Sequence, residues 1–239
     1  MSGKVTIITG SSRGIGRQLA LDCALAGNPV IVNYVSSKAA ADQIVQTIAD
    51  AGGRAFAVRA DVSDGVQADH LIAAAIEKFG KLDCVINNAG VGNRIGLSQL
   101  DGATFNATLA TNLTSAFLVS QAAIQHMKER GGRLIFMSSG AARTGGVISA
   151  AYAASKAGLE GLMHYYATYL RSYRITANAI APSLIATDMI GEMHVHATDQ
   201  LPLGRLGRPD EIWPAVRMIM ETEYLTGQTI HIDAGRYMT

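Results

Sequence analysis

Seven short apolar runs alternate with alanine-rich helical patterns along this 239-residue chain, and that alternation restricts its fold more than any other feature. The runs cover residues 5–9, 29–33, 54–59, 82–87, 133–138, 175–180 and 229–232. They are continuously apolar rather than alternating, as strands buried on both faces are. The segments between them predict helices over about 14–27, 37–52, 64–79, 99–130, 150–173 and 209–221. Strand and helix repeated this regularly predict an α/β fold, a single doubly wound parallel seven-stranded sheet with helices on both faces. No linker or low-complexity tract divides the chain, so residues 1–239 read as a single domain.

The first strand runs into Thr9-Gly10-Ser11-Ser12-Arg13-Gly14-Ile15-Gly16, a glycine-rich turn that opens the first helix. Gly10 permits a tight turn, while Gly14 and Gly16 let backbone amides approach a pyrophosphate. Such a turn between strand and helix reads as a dinucleotide cradle. A site for NADH usually ends its second strand on a carboxylate that receives the ribose 2′-hydroxyl. Here the chain reads Val32-Asn33-Tyr34-Val35-Ser36-Ser37-Lys38, without an acid. Arg13 within reach of a 2′-phosphate, with Ser36, Ser37 or Lys38 adding contacts, favours NADPH through charge-assisted bonds. Asp61 and Val62 follow the third strand where an adenine would lie. Asn87-Asn88-Ala89-Gly90 ends the fourth with small residues beside the cofactor, although Asn88 alone reads equally as a turn residue.

A second constellation lies mid-chain, at Ser138-Ser139-Gly140 and Tyr152-Ala153-Ala154-Ser155-Lys156. Tyr152 and Lys156 are four apart and share a helix face. An ammonium beside a phenol lowers the tyrosine pKa from about 10, which suits proton transfer to a carbonyl.

Composition narrows the classes. Charged residues make up 16% of the chain and the net charge is +1, which gives no electrostatic footprint for nucleic acid or an anionic membrane. Cys23 and Cys84 are the only cysteines and fall in apolar runs, as buried reduced thiols do. With no basic-then-apolar leader and no run long enough to span a bilayer, the expectation is a cytoplasmic protein.

With these motifs in order, the chain resembles the short-chain dehydrogenase/reductase family. The likeness rests on the glycine turn at 9–16, Asp61-Val62, the 87–90 turn, Asn112, Ser139, Tyr152-x-x-x-Lys156, Asn178-Ala-Ile-Ala-Pro182 and Thr187. Arg13 in its turn, Asn33-Tyr34, the 202–209 segment and Thr226-Gly-Gln-Thr229 make it most similar to the 3-oxoacyl-[acyl-carrier-protein] reductase branch. The resemblance implies a Rossmann-type fold. It also implies a proton donor at Tyr152, a ribose-holding and pKa-lowering Lys156, a substrate-oxygen contact at Ser139 and a water-chain anchor at Asn112. Cofactor contacts would come from Gly10, Ser12, Arg13, Gly14, Ile15, Gly16, Asn33, Ser36, Asp61, Val62, Asn88, Ala89, Gly90, Tyr152, Lys156, Pro182, Ile185 and Thr187. Related enoyl reductases use a longer Tyr-to-Lys spacing, which disfavours C=C reduction here. Subunit pairing through the 99–130 and 150–173 helices, into dimers or tetramers, is a further implication.

The chain departs from the family at several points. Pro182-Ser183 stands where Pro-Gly is usual, and Ala234 lies where the family carries glycine. The 183–207 segment, read as a substrate lid, is shortened. Met189 and Met193 there suit an acyl pocket or ordinary packing, and His194, His196 and Asp199 lack the third convincing ligand that a metal needs. Lys128, Arg130, Arg133, Arg171 and Arg174 offer a basic edge for an acyl-carrier protein, or simply solvated helix ends. Tyr165, Tyr166, Tyr169 and Tyr173 suit core or interface, and Trp213 suits packing.

Three functions therefore compete. The leading one is an NADPH-dependent carbonyl reductase acting on a 3-oxoacyl thioester, with fatty acid biosynthesis as its setting. The second keeps the chemistry but takes a free ketone, sugar or polyol. The third is a non-catalytic dinucleotide sensor, which has no need of Ser139, Tyr152 and Lys156 together.

Overall fold

A computed structural model describes residues 3–188 and 202–238. Seven parallel strands form one sheet in the order β3-β2-β1-β4-β5-β6-β7. They are β1 (Thr6–Ile8), β2 (Val30–Tyr34), β3 (Ala55–Arg59), β4 (Cys84–Asn87), β5 (Gly132–Met137), β6 (Ile175–Pro182) and β7 (Thr229–Ile232). The predicted architecture and all seven strands are present. In β1, Ile8 stands between Val32 of β2 and Ile86 of β4. The strand order reverses beside β1, and that is where a crevice opens outside the carboxyl ends of the strands.

The helices form two layers. Helices α1 (Gly14–Leu25), α2 (Lys38–Asp50) and α8 (Trp213–Glu221) cover one face, packing Leu19, Cys23, Ile44, Val216 and Ile219 against the sheet. Helices α3 (Gly65–Phe79), α5 (Ser115–Met127) and α7 (Ala150–Tyr169) cover the other with Leu71, Val119, Leu159, Met163 and Tyr166. Burying each large side chain contributes about 1.5–3 kcal/mol relative to its exposure. Burial raises the thiol pKa of both Cys23 and Cys84, which keeps them protonated. Trp213 packs partly buried against the first layer. No described helix is long and apolar enough to cross a membrane.

The predicted helix over 99–130 is not continuous. Helix α4 (Gly102–Leu109) begins at Asp101, whose carboxylate accepts from Thr104 N–H at 2.8 Å. A π-helical turn over Ala110–Thr114 then interrupts the ladder before α5 starts. Threonine, asparagine and serine side chains crowd this stretch and compete for backbone partners. Thr111 Oγ1 donates to Ala107 O, and Ser115 Oγ donates to Thr111 O. The turn rotates Asn112 into the interior. A short helix, α6 (Ala141–Thr144), also lies after β5, where none was predicted.

The two loop departures resolve differently. Ser183 needs no glycine: its N–H donates to Ile232 O at 3.1 Å, and its φ is not positive. Ala234 adopts φ +58°, the left-handed region that costs a residue with a Cβ about 1–2 kcal/mol. Ala234→Gly should therefore stabilise the protein by roughly 0.5–1 kcal/mol once the extra chain entropy of glycine is subtracted. A rise in the urea midpoint at unchanged slope would show it; an unchanged or lower midpoint would mean the turn is not strained.

Candidate active site

The site is assembled at the carboxyl ends of β1, β2, β4, β5 and β6. Gly10 takes φ +61°, and a Cβ there would lie 2.9 Å from Ala89 Cα. A Cβ on Gly16 would strike Asn88 Nδ2 at 2.5 Å and Gly10 O at 2.8 Å. These glycines are needed for the turn's closure against the β4 loop. Gly14, at φ +56°, opens α1 with only Thr187, among the described residues, near the position of a Cβ, at 3.8 Å. No acidic residue stands in the first turn of α1, so its free amides face the crevice without a competing carboxylate. This cradle fits a dinucleotide pyrophosphate.

Several nominated residues brace the cradle rather than face into it. Asn33 is 1% exposed and spends its side chain internally. Its Oδ1 accepts from Gly10 N–H at 2.9 Å, and its Nδ2 donates to Ala60 O at 2.9 Å. The expectation of a cofactor contact from the Asn33 side chain is therefore corrected. Asn88 Nδ2 similarly donates to Thr9 O at 2.9 Å and Gly10 O at 3.2 Å, the turn-bracing reading. Val62 and Ile185 are both buried within the two core clusters. Pro182 is buried and its carbonyl accepts from Gly140 N–H at 3.1 Å.

Other candidates stand at the rim. Asp61 keeps one carboxylate oxygen for Ser63, at 3.0 Å from its N–H and 2.7 Å from its hydroxyl. Ser12 is half-buried, and Arg13 and Ser36 are exposed. Lys38 is paired with Asp42 at 2.6 Å, which withdraws it from the phosphate-reading set. Arg59, not singled out from the sequence, is exposed at the end of β3 and donates through Nε to Val35 O at 3.1 Å. Its place beside Val35 comes from the pairing of Tyr34 with Arg59 across β2 and β3, which sequence order does not display.

The mid-chain constellation is brought together by α7. Ser149 caps this helix and accepts from the N–H of Tyr152 itself, at 3.2 Å. Tyr152, Ser155, Lys156 and Leu159 then recur on the buried face. Tyr152 is 8% exposed and Lys156 5%. Lys156 Nζ lies 5.5 Å from the Tyr152 ring centroid and donates to Met137 O at 2.7 Å. Burial pulls the Lys156 pKa down to about 8. Burial also raises the Tyr152 phenol above its ordinary value, and the neighbouring Ser139 side chain offsets part of the rise. The expected lowering of the phenol by the ammonium is thus corrected: desolvation by burial sets the direction of the shift, and the lowering contribution comes from Ser139. A neutral phenol between a hydroxyl and an ammonium is equipped to hand a proton to an oxygen atom.

The two serines at the end of β5 diverge. Ser138 is buried and turns toward α7, whereas Ser139 is half-buried beside Tyr152, its Oγ accepting from Ala141 N–H at 3.2 Å. Asn112 uses its whole amide as a clasp. Nδ2 donates to Val91 O and Ser155 Oγ, both at 3.0 Å, and Oδ1 accepts from Val91 N–H at 2.8 Å. A Cβ on Gly90 would fall 3.3 Å from Asn112 Oδ1, a tight approach, and 3.6 Å from Lys156 Nζ, an ordinary contact.

The described ends of the 183–207 segment are clasped: Ala186 N–H donates to Gly207 O at 2.8 Å and Gly207 N–H to Leu184 O at 2.9 Å. Met189, Met193, His194, His196 and Asp199 lie outside the described residues. The basic edge is corrected at Arg133, which is 7% exposed and bonded to Gly132 O at 3.0 Å. Lys128, Arg130, Arg171 and Arg174 precede β5 or β6, at the end of the sheet opposite Ser139. Of the four tyrosines, Tyr166 is core, stacked on Phe136 at 6.1 Å, while Tyr165, Tyr169 and Tyr173 are exposed.

Comparison with known proteins places this geometry. A family model described as enoyl-(acyl carrier protein) reductase matches residues 10–236. The chain is 37% identical to a 3-oxoacyl-[acyl-carrier-protein] reductase of Synechocystis sp., covering 100% of this chain and 98% of the relative. It is 38% identical to an L-rhamnose 1-dehydrogenase (NAD(P)(+)) of Azotobacter vinelandii, covering 98% and 97%. Among solved structures, a Serratia marcescens short-chain dehydrogenase/reductase variant superposes with TM-score 0.91 at 34% identity, covering 98% of each chain.

The buried Lys156 ammonium carries a stability cost with a defined pH window. Its folded pKa of about 8 lies below the ordinary 10.5, so the cost is absent above pH 10.5 and complete below about pH 8. Lys156→Met should gain stability relative to the parent as pH falls through that window, by roughly 3 kcal/mol in total. Urea unfolding of both proteins at pH 7.5 and 10.5 reads this; a pH-independent difference would show that the ammonium is not desolvated.

Proposed function

The chain belongs to the short-chain dehydrogenase/reductase family of nicotinamide-dependent oxidoreductases, and from that premise we propose that it is an NADPH-dependent carbonyl reductase acting on a 3-oxoacyl thioester. The observation that carries the reading is the meeting of Ser139, Tyr152 and Lys156 at the carboxyl end of β5, next to the glycine cradle. Bound in that cradle, reduced nicotinamide supplies the hydride.

The chain's own groups do the rest. Ser139 hydrogen-bonds the carbonyl oxygen and steadies the charge that develops there. Tyr152 gives that oxygen its proton, from a phenol that burial keeps neutral at pH 7. Lys156, still cationic at that pH, holds the ribose hydroxyls and returns a proton toward the phenol. Asn112 fixes the Gly90–Val91 backbone and the Ser155 hydroxyl around this relay, and its π-helical turn provides the water-chain anchor. The four-residue spacing of Tyr152 and Lys156 favours carbonyl over C=C reduction.

NADPH preference rests on Arg13 and on Arg59, which stands beside the loop of Val35 and Ser36, with no carboxylate at the end of β2. Arg13→Ala should weaken NADPH binding about tenfold or more while leaving NADH within about twofold. Equal losses, measured by quenching of intrinsic fluorescence, would remove Arg13 from phosphate recognition.

The named function of the Synechocystis relative supports a 3-oxoacyl thioester; that of the Azotobacter relative supports a sugar as the second reading. A thioester on coenzyme A or on a carrier protein fits equally. Exposed Phe117, Tyr165 and Tyr169 on α5 and α7 suit a subunit interface. Acetoacetyl-coenzyme A, a simple ketone and L-rhamnose, each assayed with NADPH or NADP⁺, separate the readings. The expected result is fast NADPH oxidation with the thioester alone, reduced at least about a hundredfold in Tyr152→Phe with cofactor affinity retained. Turnover of L-rhamnose without the thioester favours the second reading, and tight NADPH binding without any turnover favours a sensor.

A further inference from the structure

We infer that Glu160 is a positioning residue that clamps the chain on both sides of Ser139. The carboxylate lies on α7, one helical turn beyond Lys156, with a side chain only 12% exposed. Oε1 accepts a hydrogen bond from Ser138 Oγ at 3.0 Å. Oε2 lies 3.7 Å from Arg143 Nε. Ser138 immediately precedes Ser139, and Arg143 follows it in α6. A single carboxylate thus ties the end of β5 and the short helix α6 to the helix that carries Tyr152 and Lys156.

The segment it holds has little stiffness of its own. Helix α6 has four residues, too few to persist without tertiary support. Gly145, in the left-handed conformation, ends it. The Ser139 hydroxyl in turn takes its direction from α6, through the bond from Ala141 N–H. Ser138 Oγ has one proton and two acceptors in range, Lys156 O at 3.3 Å and Glu160 Oε1 at 3.0 Å. The nearer acceptor is charged, and a charge-assisted bond is about twice as strong as a neutral one. Releasing Glu160 would loosen the turn between β5 and α6 and let the Ser139 hydroxyl shift relative to Tyr152, and a displacement of about 1 Å at a reacting group costs as much as a hundredfold in rate.

This inference rests on the proposed role of Ser139, and a double-mutant cycle separates the two. Glu160→Ala, Ser139→Ala and the double variant are assayed with acetoacetyl-coenzyme A and NADPH, and their NADPH affinities and melting temperatures are recorded. Glu160→Ala should lower kcat about tenfold, with KM for NADPH unchanged. In the Ser139→Ala background the same change should have almost no further effect on kcat. Glu160→Gln keeps an oxygen acceptor for Ser138 and should recover most of the rate, which also guards against a misfolded alanine variant. Multiplicative losses in the double variant would overturn the inference, since Glu160 would then act independently of Ser139. An unchanged kcat in Glu160→Ala would overturn it as well. An unchanged kcat in Ser139→Ala would overturn the Ser139 reading and the inference with it, a failure recognisable because it appears in the single Ser139 variant.

Discussion

Two asparagine amides, Asn33 buried and Asn88 half-buried, hold the Gly10 turn in place, and the remainder of the site depends on them. Asn33, from β2, accepts the Gly10 N–H and ties it to the end of β3 through Ala60. Asn88, from the loop after β4, donates to Thr9 O and Gly10 O from the opposite side. Thr9 Oγ1 completes the lashing by accepting the N–H groups of Asn88 and Ala89, each at 2.9 Å. Parallel strands end in frayed carbonyls and amides that water would otherwise satisfy. Here side chains satisfy them, so the sheet presents a rigid edge at the reversal of strand order. Rigidity is what a cradle for a pyrophosphate needs, because backbone amides that must be reoriented on binding bring no preorganised field.

The same edge exacts a cost at Lys156. An ammonium with almost no exposure is far from water, and its bond to Met137 O replaces only part of the lost hydration. A residue with only a structural task would be replaced there by methionine or leucine. Its persistence in the interior, four residues beyond a buried phenol, is the kind of local conflict that marks chemistry rather than packing. The neutral forms favoured by burial oppose each other usefully: the phenol keeps its proton, and the ammonium lies close to losing one.

Much of this was legible in the sequence because it depends on period and spacing. Continuous apolar runs revealed the parallel strands, and glycine placement between strand and helix revealed the cradle. Of the two serines at the end of β5, Ser139 lies beside Tyr152 while Ser138 turns toward α7. What was illegible depends on where a polar side chain spends its hydrogen bonds. Asn33 reads as a strand-end ligand until the turn closes on it. Arg133 reads as a surface cation until the sheet buries it. The helical pattern over 99–130 hides the π turn, since one extra residue per turn scarcely alters apolar periodicity. Arg59 was missed because its importance comes from cross-strand register, which sequence order does not display.

Helix α7 acts as the ruler of the site. Its cap holds the amide of Tyr152, its first two turns carry Tyr152, Ser155 and Lys156, and its third carries Glu160. A 20-residue helix packed along the sheet moves as one body, so the spacings among these groups are fixed when it docks. Ser139 does not ride on that ruler. The spacing of phenol, ammonium and carboxylate is therefore set by one stiff element, while Ser139 lies on a turn tied to it by a few polar contacts. That division explains how relatives sharing this architecture carry names as different as an acyl-thioester reductase and a sugar dehydrogenase.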